Sequence, residues 1–126
     1  MRLASAAVAI LTLATQARAE PREITGQAGV LGEWELSAAV TEQSVDGAKE
    51  LRGPLTLKHV GICTQDGPEE KTGTLRLRLS DSSRRVDATL LIEGAECTFT
   101  GNRTNSFDGV MNCPDRRGVP LMLWIK

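Results

Sequence analysis

The sequence predicts an all-β fold, in which about seven to eight short strands form a small antiparallel β-barrel or sandwich as a single domain. Apolar and polar residues alternate in several runs, which is the period of a half-buried strand. Residues that favour turns separate these runs at short intervals. Strand-like and helix-like patterns do not alternate, and this disfavours a parallel sheet. The three observations together favour an antiparallel meander.

Residues 1–19 are predicted to be a cleavable signal peptide. Arg2 provides a positive start, and the apolar stretch from Leu3 to Ala14 is too short to span a bilayer. Ala17-Arg18-Ala19 then places small residues at the two positions that signal peptidase reads, which predicts cleavage before Glu20. We therefore expect an exported protein, periplasmic or secreted, with no membrane span in the mature chain.

The mature chain would carry a formal charge of −3, because the removed segment holds Arg2 and Arg18 and no acidic residue. This charge has the wrong sign for binding nucleic acid or an anionic membrane. The chain contains no tyrosine, two tryptophans and two phenylalanines, so it has few aromatic rings on which bases or sugars could stack. We expect no nucleic-acid partner.

The predicted domain covers residues 30–126, and the polar residues 20–29 before it are predicted to form an extended N-terminal arm. The first strand is predicted from a face of alternate apolar or small residues: Val30, Gly32, Trp34, Leu36, Ala38 and Val40. The segment from Thr41 to Gly53 has no clear pattern, and a short helix and a long loop both remain open.

Six further runs predict the remaining strands, each with one apolar face. The inward positions of these runs are Leu55, Leu57 and His59; Leu75, Leu77 and Leu79; Val86, Ala88, Leu90 and Ile92; Ala95, Cys97 and Phe99; Phe107, Gly109, Met111 and Cys113; and Val119, Leu121, Leu123 and Ile125. The alternation changes phase after His59, which predicts a bulge or the end of a strand there.

The mature chain holds three cysteines, Cys63, Cys97 and Cys113, and an exported chain uses cysteines first for disulfides. A hairpin centred on Asn105 would place Cys97 opposite Cys113 at close to disulfide distance. Alternatively, Cys63 pairs with one of these two, and the sequence leaves both pairings open. We expect a monomer, although the odd cysteine also allows a disulfide-linked dimer.

The sequence offers little catalytic chemistry. His59 is the only histidine, so nucleophilic catalysis of the Ser–His or Cys–His kind would depend on it, and no nucleophile motif accompanies it. The cysteine and histidine spacings match no zinc site. We therefore expect no enzyme, no catalytic residue, no metal and no cofactor.

Three residues are candidates for ligand binding because they are aromatic or polar at inward positions: Trp34, His59 and Phe99. A barrel of about eight strands can hold one small apolar ligand. The same inward residues describe a filled core equally well, and the small size of the domain favours the filled core. Function would then lie on the surface, with an envelope protein or a secreted protein as the partner.

The segment Gly32-Glu33-Trp34 resembles the G-x-W signature in the first strand of lipocalins. Residues Gly32 to Leu36 are also similar to the G-x-W-x-L opening of the secreted bacterial inhibitors of metalloproteases. The resemblance covers five residues and implies a lipocalin-like (calycin-like) barrel. In those inhibitors a short N-terminal arm enters the protease cleft, and residues 20–29 would take that place here.

The sequence thus predicts an exported, non-enzymatic binding module. A module that binds proteins through the N-terminal arm and loops, in the manner of a protease inhibitor, is the first alternative. A structural protein of the cell envelope is the second, and an enzyme ranks last.

Overall fold

A computed structural model describes residues 10, 21–60, 69–80 and 84–126. Within these ranges the chain forms eight antiparallel strands that close into a barrel, which confirms the predicted fold class. Within the same ranges, no helix is long and apolar enough to cross a membrane. The strands are β1 Pro21–Ala28, β2 Trp34–Val45, β3 Ala48–His59, β4 Glu70–Leu79, β5 Arg85–Ile92, β6 Ala95–Arg103, β7 Phe107–Asn112 and β8 Val119–Ile125.

Each strand pairs with the next along the chain, and β8 pairs with β1 to close the barrel. A closed barrel leaves no edge strand with unpaired backbone groups. The barrel has two ends. We call them the Trp34 end, where β1, β3, β5 and β7 finish, and the Pro21 end, where these strands begin. The predicted signal peptide lies outside the described residues except for Ile10.

The barrel interior is filled with apolar side chains from all eight strands. Period-two alternation directs every second side chain inward, as the sequence predicts. The inward side chains form one core: Ile24, Ala28, Leu36, Ala38, Val40, Leu51, Leu55, Leu57, Leu75, Leu77, Leu79, Val86, Ala88, Leu90, Ile92, Cys97, Phe99, Phe107, Met111, Leu121 and Leu123. Burial of an aliphatic side chain of this kind contributes about 1.5–3 kcal/mol, so this core is the main source of stability.

The predicted N-terminal arm is, in the structure, a barrel strand. Residues 21–28 form β1, which pairs with β2 on one side and with β8 on the other. Ile24 and Ala28 are buried in the core, with Gly26 between them on the same face. The prediction of a separate arm was wrong because this alternation is short and two of its three inward residues are small.

The first predicted strand begins later than expected. Val30 and Gly32 lie in the loop between β1 and β2, and the strand starts at Trp34. Leu36, Ala38 and Val40 face the core as predicted. The apolar residue Val30 matches the alternation of the strand by coincidence, because it lies in a loop and faces the solvent.

The segment left open by the sequence, Thr41 to Gly53, is neither a helix nor a long loop. It contains the end of β2, a two-residue turn at Asp46-Gly47 and the first part of β3. The φ angles of Asp46 and Gly47 are 52° and 81°. Positive φ at both residues is typical of the type I′ hairpin turn, for which Asp-Gly is a preferred pair.

The structure selects one of the two disulfide pairings. Cys97 and Cys113 are bonded, with their Cα atoms 4.3 Å apart. The register of β6 and β7 places Phe99 opposite Met111, as in the predicted hairpin. Cys63 lies outside the described residues.

Loss of this disulfide should destabilise the barrel. Cys97→Ala together with Cys113→Ala should lower the free energy of unfolding by about 3 kcal/mol, because the bond closes a loop of 16 residues. Urea denaturation measures the change, and Cys63→Ala is the matched control. Alkylation of the native protein without reductant should modify neither Cys97 nor Cys113, and label on either would contradict the pairing.

Candidate functional site

The three predicted binding residues do not lie together. Phe99 is 2% exposed within the core, and its ring lies against Gly101 in the same strand. Trp34 and His59 meet instead at the Trp34 end of the barrel. The structure therefore brings two of the candidates into one place and assigns the third to packing.

Trp34, His59 and Lys71 form a stack of half-buried side chains at the Trp34 end. Trp34 opens β2 and pairs with His59, the last residue of β3. Their ring centroids are 4.5 Å apart, and the planes are tilted by 41°. The Lys71 Nζ lies 5.3 Å from the centroid of the Trp34 ring, which is within the range of a cation–π contact. Trp34 also packs against the core, so the stack covers the core at this end.

The loop that precedes Trp34, here called the apical loop, consists of residues 29–33. The Gly29 N–H donates to the Pro120 carbonyl at 2.9 Å, and the Gly32 N–H donates to the Gly29 carbonyl at 3.1 Å. The Leu31 N–H donates to the Glu33 carboxylate at 3.0 Å. Gly29 and Gly32 have φ angles of 98° and 63°, a conformation that favours glycine. These contacts hold the backbone of the loop in one conformation.

The apical loop directs two neighbouring aliphatic side chains into solvent. Val30 is 84% exposed and Leu31 is 90% exposed. Val60 is also exposed, and its N–H donates to the Glu33 carbonyl at 2.8 Å, which places it beside the loop. Val30, Leu31 and Val60 thus form a group of exposed apolar side chains at the Trp34 end.

Acidic residues dominate the side of the apical loop that faces β2, β3 and β4. The charged residues there are Glu33, Glu35, Lys58, Glu69, Glu70 and Lys71, so four carboxylates stand against two ammonium groups and this side has a net negative charge. The β7–β8 loop on the other side carries Asp115, Arg116 and Arg117. A surface of this sign attracts a basic partner and repels an anionic lipid surface.

A groove of about 440 Å³ begins below the apical loop on the outer face of the barrel. The Gln27 side chain, which lies against Gly32, belongs to its wall, and Trp124 of β8 provides its largest aromatic surface. Hydroxyl and charged side chains complete the lining: Thr25, Glu35, Ser37, Thr56, Lys58 and Glu70. The groove combines one apolar platform with several hydrogen-bonding groups, as binding sites commonly do.

A second cluster of outward side chains surrounds Glu50 on β3, in the half of the barrel nearer the Pro21 end. Although Glu50 points away from the core, its exposure is 0% because three arginines cover it. The Nε atoms of Arg52 and Arg76 both donate to its Oε1, the second at 2.9 Å. Arg78 approaches Oε2 at 3.5 Å.

The arginines determine the charge state of this carboxylate. Burial alone would raise the pKa of Glu50, because it removes the charged form from water. The hydrogen bonds and positive charges of Arg52 and Arg76 act in the opposite direction and outweigh burial. They hold the pKa of Glu50 below its ordinary value of 4.5.

Comparisons with known proteins do not place this chain in a family. No family model, no curated protein and no solved structure matches it. Within the part of the chain that the structure describes, no group of three or more His, Cys, Asp or Glu side chains could hold a metal ion.

Both surface features were missed by reasoning from the sequence, although each has a local signal. Two apolar residues between glycines, as in the segment Gly29 to Gly32, are typical of a tight loop that exposes them. Glu50 and Arg52 are two residues apart, as are Arg76 and Arg78, so each pair shares one face of a strand. The register that joins the two pairs cannot be read from either segment alone.

Replacing the covered carboxylate should destabilise the protein in a manner that depends on pH. Glu50→Gln should lower the free energy of unfolding at neutral pH by about 1–2 kcal/mol, because three half-exposed arginines lose their common partner. Because the pKa of Glu50 is lower in the folded protein than in the unfolded chain, its ionised carboxylate stabilises the fold fully above pH 4.5. This stabilisation is lost as the pH falls through the pKa of Glu50 in the folded protein.

The difference in stability between the wild type and Glu50→Gln should therefore be constant near neutral pH and decrease below pH 4.5. Denaturant titrations over a series of pH values measure it. Glu96→Gln, at an exposed position on β6, is the matched control and should change little. A difference that persists undiminished at acid pH would contradict the role assigned to the Glu50 charge.

Proposed function

We propose that this protein is an exported, non-enzymatic binding module that recognises a protein partner through its Trp34 end. The observation that carries the proposal is the exposed pair Val30 and Leu31, held on a hydrogen-bonded loop. Trp34, which directly follows the loop in the chain, is held in the stack with His59 and Lys71.

The barrel interior gives less support to a small apolar ligand. Inward side chains of all eight strands pack there, and Leu77, Leu90 and Phe99 at the centre are at most 2% exposed. A ligand would have to displace such side chains, and core rearrangements of this kind are unfavourable by about 1–3 kcal/mol. Recognition on the outer surface needs no rearrangement.

The apical loop has the energetic features of an interface anchor. Removing Val30 and Leu31 from water would contribute about 1.5–3 kcal/mol each. The loop is already held by hydrogen bonds, so binding would order little additional backbone. Two such side chains in one pocket would account for a large part of a specific association.

The surroundings of the loop indicate the chemistry of the partner. The carboxylates of Glu33, Glu35 and Glu70 favour a basic rim around an apolar pocket. A stable interface buries about 800 Å² of surface on each partner, which is more than one short loop can provide. The adjacent groove with Trp124 offers the additional contact surface.

The pairing of residues 21–28 within the barrel argues against protease inhibition by a free N-terminal arm. β1 is paired with β2 along its whole length and with β8 from Ile24 to Ala28, so it could leave only if the barrel opened. The apical loop directly follows β1 and is the accessible part of this region. A protease remains one class of partner with an apolar pocket.

The proposal of export rests on the signal peptide predicted at residues 1–19, and the Cys97–Cys113 disulfide agrees with an oxidising compartment. The mass of protein recovered after export should correspond to a chain that begins at Glu20 and lacks two cysteine hydrogen atoms. Native mass spectrometry should find no bound apolar molecule. Retention of residues 1–19 would contradict export, and a reproducible apolar ligand that leaves on denaturation would contradict the surface-binding proposal.

The partner can be trapped from the compartment of the protein with a photocrosslinking amino acid in place of Leu31. The same residue in place of Thr104, an exposed residue at the opposite end, is the positional control. We expect a protein adduct of defined mass at position 31 only. Equal adducts at both positions would indicate nonspecific contact and contradict the proposal.

Once the partner is purified, its affinity for surface variants tests the anchor directly. Val30→Ser together with Leu31→Ser should weaken binding by about 100-fold, because about 3 kcal/mol of apolar burial is lost. Leu91→Ser, at an exposed position on β5 on the other side of the barrel, removes a similar side chain elsewhere and should bind like the wild type. Equal losses in both variants would exclude the apical loop as the anchor.

A further inference from the structure

The outer face of β3, β4, β5 and β6 carries a row of cationic and hydroxyl side chains without an acid among them. The strand register sets Arg52 opposite Arg76, Arg76 opposite Thr89, and Thr89 opposite Thr98. All four side chains point outward, since Leu51, Leu77, Ala88 and Phe99 beside them point into the core. We call these four residues the arginine row.

The arginine row has like charges directly opposite each other, an arrangement that is normally unfavourable in a sheet. Glu50 compensates for it from the neighbouring row, because its Oε1 accepts a hydrogen bond from the Nε of Arg52 and from the Nε of Arg76. The two guanidinium groups are thereby held at one carboxylate oxygen in a fixed mutual arrangement. Their orientation is set before any ligand arrives.

The arginines keep donors for a ligand. A guanidinium group has five N–H donors, and each contact of Arg52 and Arg76 with Glu50 uses the one on Nε. The two side chains are 49% and 54% exposed. The terminal nitrogens therefore offer hydrogen bonds at a surface that water and ligands can reach.

The charge of this face is positive although the mature chain as a whole is predicted to be negative. Arg52, Arg76, Arg78 and Arg85 stand against Glu50, Asp87 and Glu96, which leaves one net positive charge. A groove of about 370 Å³ adjoins the row, and Arg76, Thr89 and Thr98 contribute to its lining together with Asp87. The paired guanidinium groups of Arg52 and Arg76 beside hydroxyl donors match an oxyanion.

We propose that the arginine row binds a phosphoryl group, either free or carried by a larger molecule. The planar guanidinium groups of Arg52 and Arg76 would each donate to phosphate oxygens, and the hydroxyls of Thr89 and Thr98 would donate from the next strands. This site shares no residue with the proposed protein-binding surface at the Trp34 end. Either proposal can therefore fail without the other.

The test is a titration of the mature, disulfide-bonded protein with inorganic phosphate and with glucose 6-phosphate at low ionic strength. The Nε–Hε resonances of the arginines report binding at each side chain by nuclear magnetic resonance. We expect saturable shifts for Arg52 and Arg76. Unmoved resonances would overturn the proposal.

Two double variants separate a shaped site from general attraction by positive charge. Arg52→Gln with Arg76→Gln should weaken phosphate binding about tenfold or more, because charge-assisted hydrogen bonds are lost. Arg116→Gln with Arg117→Gln removes the same charge from the exposed β7–β8 loop and should leave binding unchanged. Equal weakening in both variants would overturn the proposal.

A charge-conserving variant gives the sharper test. It can still be used if the glutamine variant does not fold. Arg52→Lys with Arg76→Lys keeps both charges but removes the planar forks, and it should also weaken binding about tenfold. Affinity equal to that of the wild type would show that charge alone attracts phosphate, and would overturn the site. The resonances of core amides confirm that each variant is folded.

The source of the phosphoryl group can be distinguished with the same proteins. Sedimentation with phosphatidylcholine vesicles that contain phosphatidic acid tests a lipid headgroup. Binding to these vesicles that is lost in the lysine variant would support a lipid phosphate. Binding to glucose 6-phosphate without binding to vesicles would support a soluble phosphorylated ligand, and both results uphold a phosphoryl site.

Discussion

The structure depends on the pairing of β1 with β8. This pairing joins residues Ile24 to Ala28 to residues Leu121 to Ile125 and turns a meander into a closed barrel. Without it, two edge strands would be exposed, and the core would be open to water along the seam. Closure is also the reason that a segment with only one large apolar residue, Ile24, belongs to the fold.

Closure decides where recognition can occur. Every strand directs alternate side chains inward, and these side chains fill the barrel. Only the outward-facing side chains and the two ends of the barrel therefore remain for contacts with other molecules. The two proposed surfaces use this outer part differently. The apical loop offers apolar side chains within an acidic surrounding, whereas the arginine row offers oriented donors on a positive face. Their separation on the barrel allows two partners of opposite chemistry.

The sequence predicted the elements whose pattern is long and strongly apolar. The face with Leu75 and Leu77 and the hairpin that places Phe99 opposite Met111 were both confirmed. The structure selected the Cys97–Cys113 bond from the two pairings that the sequence left open. It failed for β1, where the inward residues are mostly small, and for the continuation of β2, where charged residues mask the turn at Asp46-Gly47. In both places pairing with the neighbouring strands forms the strand, although the local pattern of apolar residues does not predict one.

By itself the sequence determined the antiparallel β class and the inward or outward direction of most side chains, because period two is a local property of a strand. It also brought Trp34 and His59 into consideration as a site, although without their contact with Lys71. Only the tertiary structure decided that Glu50 and Arg76, 26 residues apart, share a hydrogen bond. The reason is that register depends on turns, pairing and closure of all strands together, and no single segment contains that information.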